Sequence, residues 1–413
     1  MTNRLSVWWD SRISGCLYLG PDGETLFAYD AAWLADPKAP ALSFALPKQA
    51  EPFKRNAVQA FFGGILPEEG QRTAIAGALG VSADNEFRLL EYLGGEVAGA
   101  LTLLPERETP ASPSETAPKL LDDDALVQLL DHLPLRPMLA GENGLRLSLA
   151  GAQSKLPVLL IDGQIALPAP GQPTSHILKP PISRFEGTTE NEYFCMSLAG
   201  AIGLEVAAVE MRVVADRSFL LVTRYDRAVD AGGSVTRLHQ EDFAQALGVP
   251  SHRKYASEGG PIFPDCFALL RRAATRPARE ILKLLDAAIF NLIIGNADAH
   301  AKNFSLLHRG GVITLAPLYD MLSTIIYPNL HVKLAMKIGG KAVLEEIEPR
   351  HWEKFAADAQ LGAPFVRARI GQLCNAVIAA IDGEFAKALR SDSDFSLVKT
   401  LVRERAVTLK ERA

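Results

Sequence analysis

At 413 residues, with 48% hydrophobic and 22% charged side chains, the chain has the composition of a folded globular protein with room for two or three packed subdomains. A formal net charge of -5 sets aside a global positive field of the kind that draws nucleic acid or membrane surfaces, so partners have to be argued from local sites. Cys16, Cys195, Cys266 and Cys374 lie far apart with no CxxC pair, which suggests neither a zinc site nor a disulfide framework and fits a reducing cytoplasm.

In chain order, the start MTNRLSVWWDSRISG carries Asp10 and Arg12 where a signal peptide has its apolar run. No stretch approaches the roughly 18 uncharged apolar residues of a membrane span. A cytoplasmic chain with no membrane partner is expected. LSVWW, CLYLG and LFAYD read as short strands with a Pro-Asp-Gly turn at residues 21–23, and NAVQAFFGGILPEEGQRTAIAGALG reads as helical, so residues 1–105 form a small α+β unit. PERETPASPSETAP then replaces apolar residues by Pro, Ser, Thr and Glu, the composition of a linker or surface loop, drawn at residues 106–125. In residues 126–225, LSLAGAQSKLPVLLIDGQIALPA reads as strand, loop, strand, Asp162-Gly163 turn and strand. HILKP is a further strand, NEYFCMSLAGAIGLEV has helical spacing and SFLLVTRYDR is a strand again. Residues 226–413 read as a mainly helical lobe interrupted by one strand pair. No repeat of 20 to 50 residues is present.

The polar crowding in FNLIIGNADAHAKNFSLL carries the chemistry. Ile281, Leu284, Leu285, Ala288, Ile289 and Leu292 follow the stripe of a buried helix and Gly295 is its stop, so NADAHAKN is the loop beyond it. FSLLH and VITLA flank Arg309-Gly310-Gly311 as a hairpin, and that hairpin returns Asp320 to the loop holding Asp298 and Asn303. Two carboxylates and a carboxamide suit Mg²⁺, a hard cation that prefers oxygen ligands. Asp298 and Asn303 have the D-x-x-x-x-N spacing of protein kinases, and Asp320 follows a strand pair as the second metal Asp does there. The plainer reading, that Asp298 and Asn303 cap turns, is undecided by spacing alone. Upstream, LAGAQSK is made of small residues that let backbone approach a phosphate, Lys179 sits inside an apolar strand, and Glu192 opens the next helix, either as partner of that lysine or as a plain N-terminal acid. The serial order is that of a bilobal kinase.

SLAGAQSK, HILKPP, NEYFCMSLAGAIGL, VTRYDR, RLHQEDFAQALG, KYASEGGP, IGNADAHAKNFSLL and APLYDMLS resemble the HipA family, the serine/threonine-kinase toxins of bacterial type II toxin–antitoxin systems. LSFALP and AFFGGILPE extend the likeness over nearly the whole chain. The resemblance implies an α+β, bilobal protein-kinase-like fold of the HipA type, with a small α+β N-terminal subdomain and a mainly helical C-terminal lobe. It implies ATP and Mg²⁺ as cofactors and an aminoacyl-tRNA synthetase, glutamyl-tRNA synthetase foremost, as the substrate whose phosphorylation inhibits translation and produces persistence. It also implies a HipB-like helix-turn-helix antitoxin that contacts operator DNA.

Residue by residue, Asp298 matches the catalytic base, Asn303 and Asp320 the metal ligands, and Lys179 the nucleotide lysine, with Glu192 aligning it. Ala150, Gly151, Ala152, Gln153, Ser154 and Lys155 match the phosphate loop. His300, Lys302 and Tyr319 match nucleotide-contacting positions, and Thr223, Arg224 and Tyr225 match the strand that meets adenine, mostly through backbone groups. Thr223 stands where the best-known member has an acidic residue. Ser148 matches the serine that the family autophosphorylates to switch itself off.

Trp8, Trp9, Phe61 and Phe62 are read as packing residues, His239 as a satisfied buried histidine, and Lys333, Lys337 and Lys341 as a solvated face rather than a basic patch. Three functions stay open: an active protein kinase, a silent antitoxin-binding subunit of a repressor complex, and a kinase of a small molecule. The full set of Lys179, Asp298, Asn303 and Asp320 favours the first.

Overall fold

The structure, a computed structural model, describes residues 2–110, 117–142, 144–230, 235–383, 385, 389 and 395–412; residues 111–116 of the expected linker lie outside them. The chain packs as two compact units. The first comprises Met1–Pro180, Arg212–His252 and Leu307–Arg309, and the second Pro181–Met211, Arg253–Leu306 and Gly310–Ala413. These edges differ from the divisions drawn at residues 106–125 and 225. The reason is a single apolar core in the first unit, which takes Leu5, Val7, Phe27, Phe61 and Phe62 from the N-terminal part together with Leu156, Val158, Leu178 and Leu221 from beyond the linker.

Two sheets line that core. The N-terminal sheet is antiparallel, in the order Thr25–Tyr29, Arg12–Leu19, Arg4–Trp9, Leu101–Pro105. Its alternating residues Leu5, Val7, Leu17 and Phe27 are fully buried, as the period of two requires, against the helices Arg55–Phe62 and Glu86–Leu93. Phe61 and Phe62 are core residues as expected. The second sheet runs Lys119–Leu120, Gln164–Leu167, Leu156–Ile161, His176–Lys179, Arg217–Thr223, Val209–Val214. Asp162 and Gly163 both have positive φ, 49° and 82°, the twist-matched two-residue hairpin that an Asp-Gly pair favours.

The second unit is mainly helical. Its central helix, Pro277–Ile294, begins with proline at its first position and buries Ile281, Leu284, Leu285, Ala288, Ile289 and Leu292. Gly295 stops it at φ 71°, with Asn296 N–H bonded to the Asn291 carbonyl at 2.9 Å. Arg405, from the C-terminal helix Ser396–Arg412, donates to the carbonyls of Leu292 at 2.8 Å and Ile293 at 3.2 Å, placing a cation at the negative helix end. Pro349–Asp358 and Ala363–Asp382 complete the helical layer. No described helix is long and apolar enough to cross a membrane.

Candidate active site

In the first unit, residues 150–155 make a tight turn between the buried segment at Ser148 and the strand Leu156–Ile161. Gly151 has φ +110°, and a Cβ there would meet Lys155 Nζ at 2.6 Å. The positive φ is what favours glycine, since the Lys155 ammonium, which donates to the Ala150 carbonyl at 2.9 Å, is the movable end of a flexible side chain. Glu68 N–H donates to the Gly151 carbonyl at 3.1 Å, Gln153 Nε2 to the Pro180 carbonyl at 3.2 Å, and Ser154 Oγ to Gln71 Oε1 at 3.3 Å. Ala152 is exposed at the tip. Of residues 150–155 only Ala152 is exposed and the others are half-buried, and the Lys155 ammonium bonds within the loop itself. Lys179 is 5% exposed at the end of its strand, opposite Leu220. Ser148 is fully buried: its N–H donates to the Glu96 carbonyl at 2.9 Å and its hydroxyl to the Ile65 carbonyl at 3.0 Å.

In the strand expected to meet adenine mostly through backbone groups, the Arg224 side chain serves a buried ion cluster. Thr223 is exposed opposite His176 and Tyr225 is half-buried with its hydroxyl on Gln240 Oε1. Arg224, however, turns inward and its backbone N–H already donates to the Ser175 carbonyl at 3.0 Å. Its guanidinium reaches Asp226 at 2.8 Å and Glu96 at 3.1 Å. Arg227 and Arg237 close on Glu96 at 2.8 and 2.7 Å, and Thr174 donates to the same carboxylate through N–H and hydroxyl. Burial, the largest single influence, pushes the Glu96 carboxyl up, but Arg227, Arg224 and Arg237 together outweigh it and hold the group well below the usual carboxylate range. This cluster carries no local sequence signal, since Glu96 meets its arginines from up to 141 residues away.

In the second unit the polar loop lies where the helix stop puts it. Asn303 Nδ2 donates to Asp320 Oδ2 at 3.1 Å, so the hairpin Ser305–Arg309 and Val312–Leu315 does return Asp320 to Asn303; Ala316 N–H pairs with the Ser305 carbonyl at 2.8 Å. Asp320 sits at φ 57°. His300 N–H donates to Asn303 Oδ1 at 3.1 Å, and Asp298 N–H to Asn296 Oδ1 at 3.2 Å, which leaves the Asp298 side chain exposed at the loop's outer edge. His300 and Lys302 are buried. Tyr319 uses its hydroxyl as a brace, donating to the Lys302 carbonyl at 2.8 Å and sharing a 2.7 Å bond with Ser305 Oγ, a structural use that the nucleotide reading did not include.

Four residues of this unit escaped the sequence reading. Asn191, beside the buried Glu192 in the helix Thr188–Ala201, grips the segment after Asp320: its Oδ1 accepts from Ser323 N–H at 2.9 Å and its Nδ2 donates to the Ser323 carbonyl at 2.8 Å. Asn296 donates to Asn291 Oδ1 at 2.9 Å, and Thr324 Oγ1 accepts from Ala297 N–H at 2.8 Å. Tyr255 donates its hydroxyl to Asp298 Oδ1 at 3.0 Å. The motif KYASEGGP pointed at that neighbourhood without a role.

The donor set fits a hard divalent cation. Asp320 and Asn303 offer a carboxylate and an amide one hydrogen bond apart, and the N–H now on Asp320 Oδ2 marks where positive charge is welcome. Asn303 and Asp320 would hold Mg²⁺.

A polar loop carrying Asp298 and Asn303, with Asp320 hydrogen-bonded to Asn303, and an α+β frame with a glycine turn and a strand lysine mark a protein-kinase-like chain. It belongs to the HipA family. The HipA N-terminal domain matches residues 5–104 and the HipA-like C-terminal domain residues 147–381. The candidate kinase Y4mE of Sinorhizobium fredii is 55% identical over 412 residues, covering 99% of this chain and 97% of that protein. The serine/threonine-protein kinase toxin HipA of Shewanella oneidensis is 30% identical over 295 residues, covering 68% of this chain and 67% of that protein. HipA of Shewanella oneidensis MR-1, solved as a complex with HipB and operator DNA, matches the fold with a TM-score of 0.85 at 25% identity, covering 99% of this chain and 96% of that one.

Proposed function

We propose that the protein is an ATP- and Mg²⁺-dependent serine/threonine protein kinase toxin that phosphorylates an aminoacyl-tRNA synthetase in the cytoplasm, glutamyl-tRNA synthetase being the first substrate to try. The observation that carries this reading is the 3.1 Å contact of Asn303 with Asp320 on the loop that presents Asp298. Mg²⁺ held by Asn303 and Asp320 would neutralise phosphate charge and orient the transferring group. Asp298 accepts the proton of the substrate hydroxyl, its exposed carboxylate suiting a macromolecular acceptor. Lys179 and the backbone of residues 150–155 hold the nucleotide phosphates. The family, and the HipB and operator DNA solved with the Shewanella HipA, support a helix-turn-helix antitoxin as partner and DNA contact mainly through it.

Ser148 is proposed as the self-inhibitory phosphorylation site. A phosphate brings about -1.5 to -2 charges. Such a group cannot occupy a fully buried position whose hydroxyl serves the Ile65 carbonyl, so modification requires the loop to leave and prevents its return. Labelled ATP with Mg²⁺ and glutamyl-tRNA synthetase, then host lysate, tests the whole reading. Asp298→Asn should keep ATP binding and lose both transfer and Ser148 phosphate, because an amide preserves shape but takes no proton. Asp320→Ala should weaken Mg²⁺-dependent nucleotide binding. Near wild-type transfer by Asp298→Asn would remove Asp298 from its role, and Ser148-phosphorylated protein with full ATP affinity would remove the switch.

A further inference from the structure

The segment 253–262 carries one side chain, Tyr255, that touches the proposed base Asp298. Tyr255 is half-buried, with extended backbone at φ -87° and ψ 138°, just before the single turn Ala256–Glu258. Its hydroxyl donates to Asp298 Oδ1 at 3.0 Å. Its ring stands edge-on to the His300 imidazole, centroids 5.3 Å apart at 68°, and Lys254 Nζ lies 5.2 Å from the ring centroid.

The backbone that aims this ring is specified by glycines. Gly260 N–H and Glu258 N–H both donate to the Tyr255 carbonyl at 2.9 Å. Gly259 has φ +79°, and a Cβ on Gly260 would stand 2.2 Å from the Arg253 carbonyl. Side chains at these positions would open the turn, so the pose of Tyr255 is built into the Gly-Gly-Pro motif.

A hydroxyl donating to one oxygen of an exposed carboxylate is the pose an acceptor hydroxyl must take on a general base. We infer that Tyr255 occupies the acceptor-hydroxyl position of Asp298, and that an acceptor reaches the base only by displacing the phenol. This rests on Asp298 being the base of a phosphotransferase. Tyr255 controls access to the base: it excludes water and unselected hydroxyls, and yields to an acceptor whose other contacts compensate for the lost bond. No covalent step is involved, and the phenol keeps its proton throughout.

Tyr255→Phe removes the hydroxyl and keeps the ring against His300 and Lys254. The probe is Mg²⁺-dependent hydrolysis of ATP, in which water is the acceptor, so the unidentified protein substrate is not needed. Displacing a hydrogen bond of ordinary net strength should free the base about three- to ten-fold. The expected result is a rise in kcat for hydrolysis of that order with the KM for ATP unchanged. A fall in kcat would assign Tyr255 to orienting Asp298, and an unchanged kcat would mean the phenol obstructs nothing; either overturns the inference.

A second readout needs no turnover. The ¹³C resonance of a Tyr255 labelled at Cζ should move between wild type and Asp298→Asn, because a neutral amide replaces the anionic acceptor. An unmoved resonance overturns the contact. If wild type and Tyr255→Phe both bind no ATP, the kinase reading fails and takes the inference with it. That outcome is distinct from two proteins that bind and hydrolyse ATP equally.

Discussion

At Glu96 a single carboxylate, 2% exposed, meets three guanidiniums and both donors of Thr174. A buried charge cluster of this kind contributes little net stability over an apolar equivalent, yet breaking it leaves uncompensated charge in a dry interior. In Glu96→Gln, Arg224, Arg227 and Arg237 would face Asp226 as the remaining carboxylate of the cluster. The expected loss is about 3–5 kcal/mol of unfolding free energy, read from denaturant midpoints. The Glu96 carbonyl also accepts from Ser148 N–H, so if the loss of the cluster shifts this backbone, residues 150–155 loosen and, on the proposed kinase reading, ATP affinity falls. A variant as stable as wild type would show that the cluster relaxes without cost.

Among elements, the helix Pro277–Ile294 decides where the polar loop holding Asp298 and Asn303 begins, and Gly295 decides where that helix ends. Its φ of 71° disfavours any side chain, and an added Cβ would lie 2.4 Å from Ile325 Cδ1. Gly295→Ala should cost about 1–3 kcal/mol through backbone strain and the displaced Ile325. Because the Gly295 carbonyl accepts from Thr324 N–H at 3.1 Å and Ile325 N–H at 3.3 Å, transfer rate should fall along with stability. Asn191 links the helix Thr188–Ala201 to the segment after Asp320. Asn191→Ala strands a buried N–H and carbonyl at Ser323, with an expected cost of about 1–3 kcal/mol. Its signature is weakened Mg²⁺-dependent nucleotide binding, since the chain just beyond Asp320 loses its anchor; unchanged metal dependence would count against that coupling.

Over the whole molecule, two buried features set the response to acid. His239 is 2% exposed, its Nε2 bonded to the Leu42 carbonyl at 2.8 Å and therefore carrying the proton, while its buried Nδ1 has no hydrogen-bond partner, so the histidine is buried as expected but only half satisfied. Burial, with His308 adding to it, pushes the imidazole down to about 3. Its contribution to stability is complete above the ordinary histidine value near 6.5 and is lost as pH falls toward 3, because the unfolded chain takes up the proton first. Between about pH 6.5 and 4.5 that loss amounts to about 2–3 kcal/mol. Below about pH 4.5 Glu96 joins in: its folded carboxyl lies under the usual range, so its stabilisation is present above the unfolded value and disappears with further acidification. Unfolding measured against pH should therefore steepen in two stages, and His239→Gln should flatten the first while leaving the second. A single stage, or a first stage untouched by the substitution, would contradict this account.

What the sequence by itself determined is what short-range periodicity and turn chemistry specify. The stripe from Ile281 to Leu292, the glycine stop at Gly295, the Asp162-Gly163 hairpin and the return of Asp320 to Asn303 all depend on residues within a few turns of one another. The motifs that identified the family are equally local. Only the tertiary structure decided the rest. Glu96 meets Arg237 across 141 residues, Asn191 meets Ser323 across 132, Ser148 meets the Ile65 carbonyl across 83, and Tyr255 meets Asp298 across 43. It placed the Arg224 side chain in a buried ion cluster and joined the N-terminal part and the sheet beyond the linker in one core. A buried arginine and an exposed one look alike in a sequence. Which of them is charge-paired depends on distant residues that become neighbours only when the apolar core closes, and that pairing leaves no period to read.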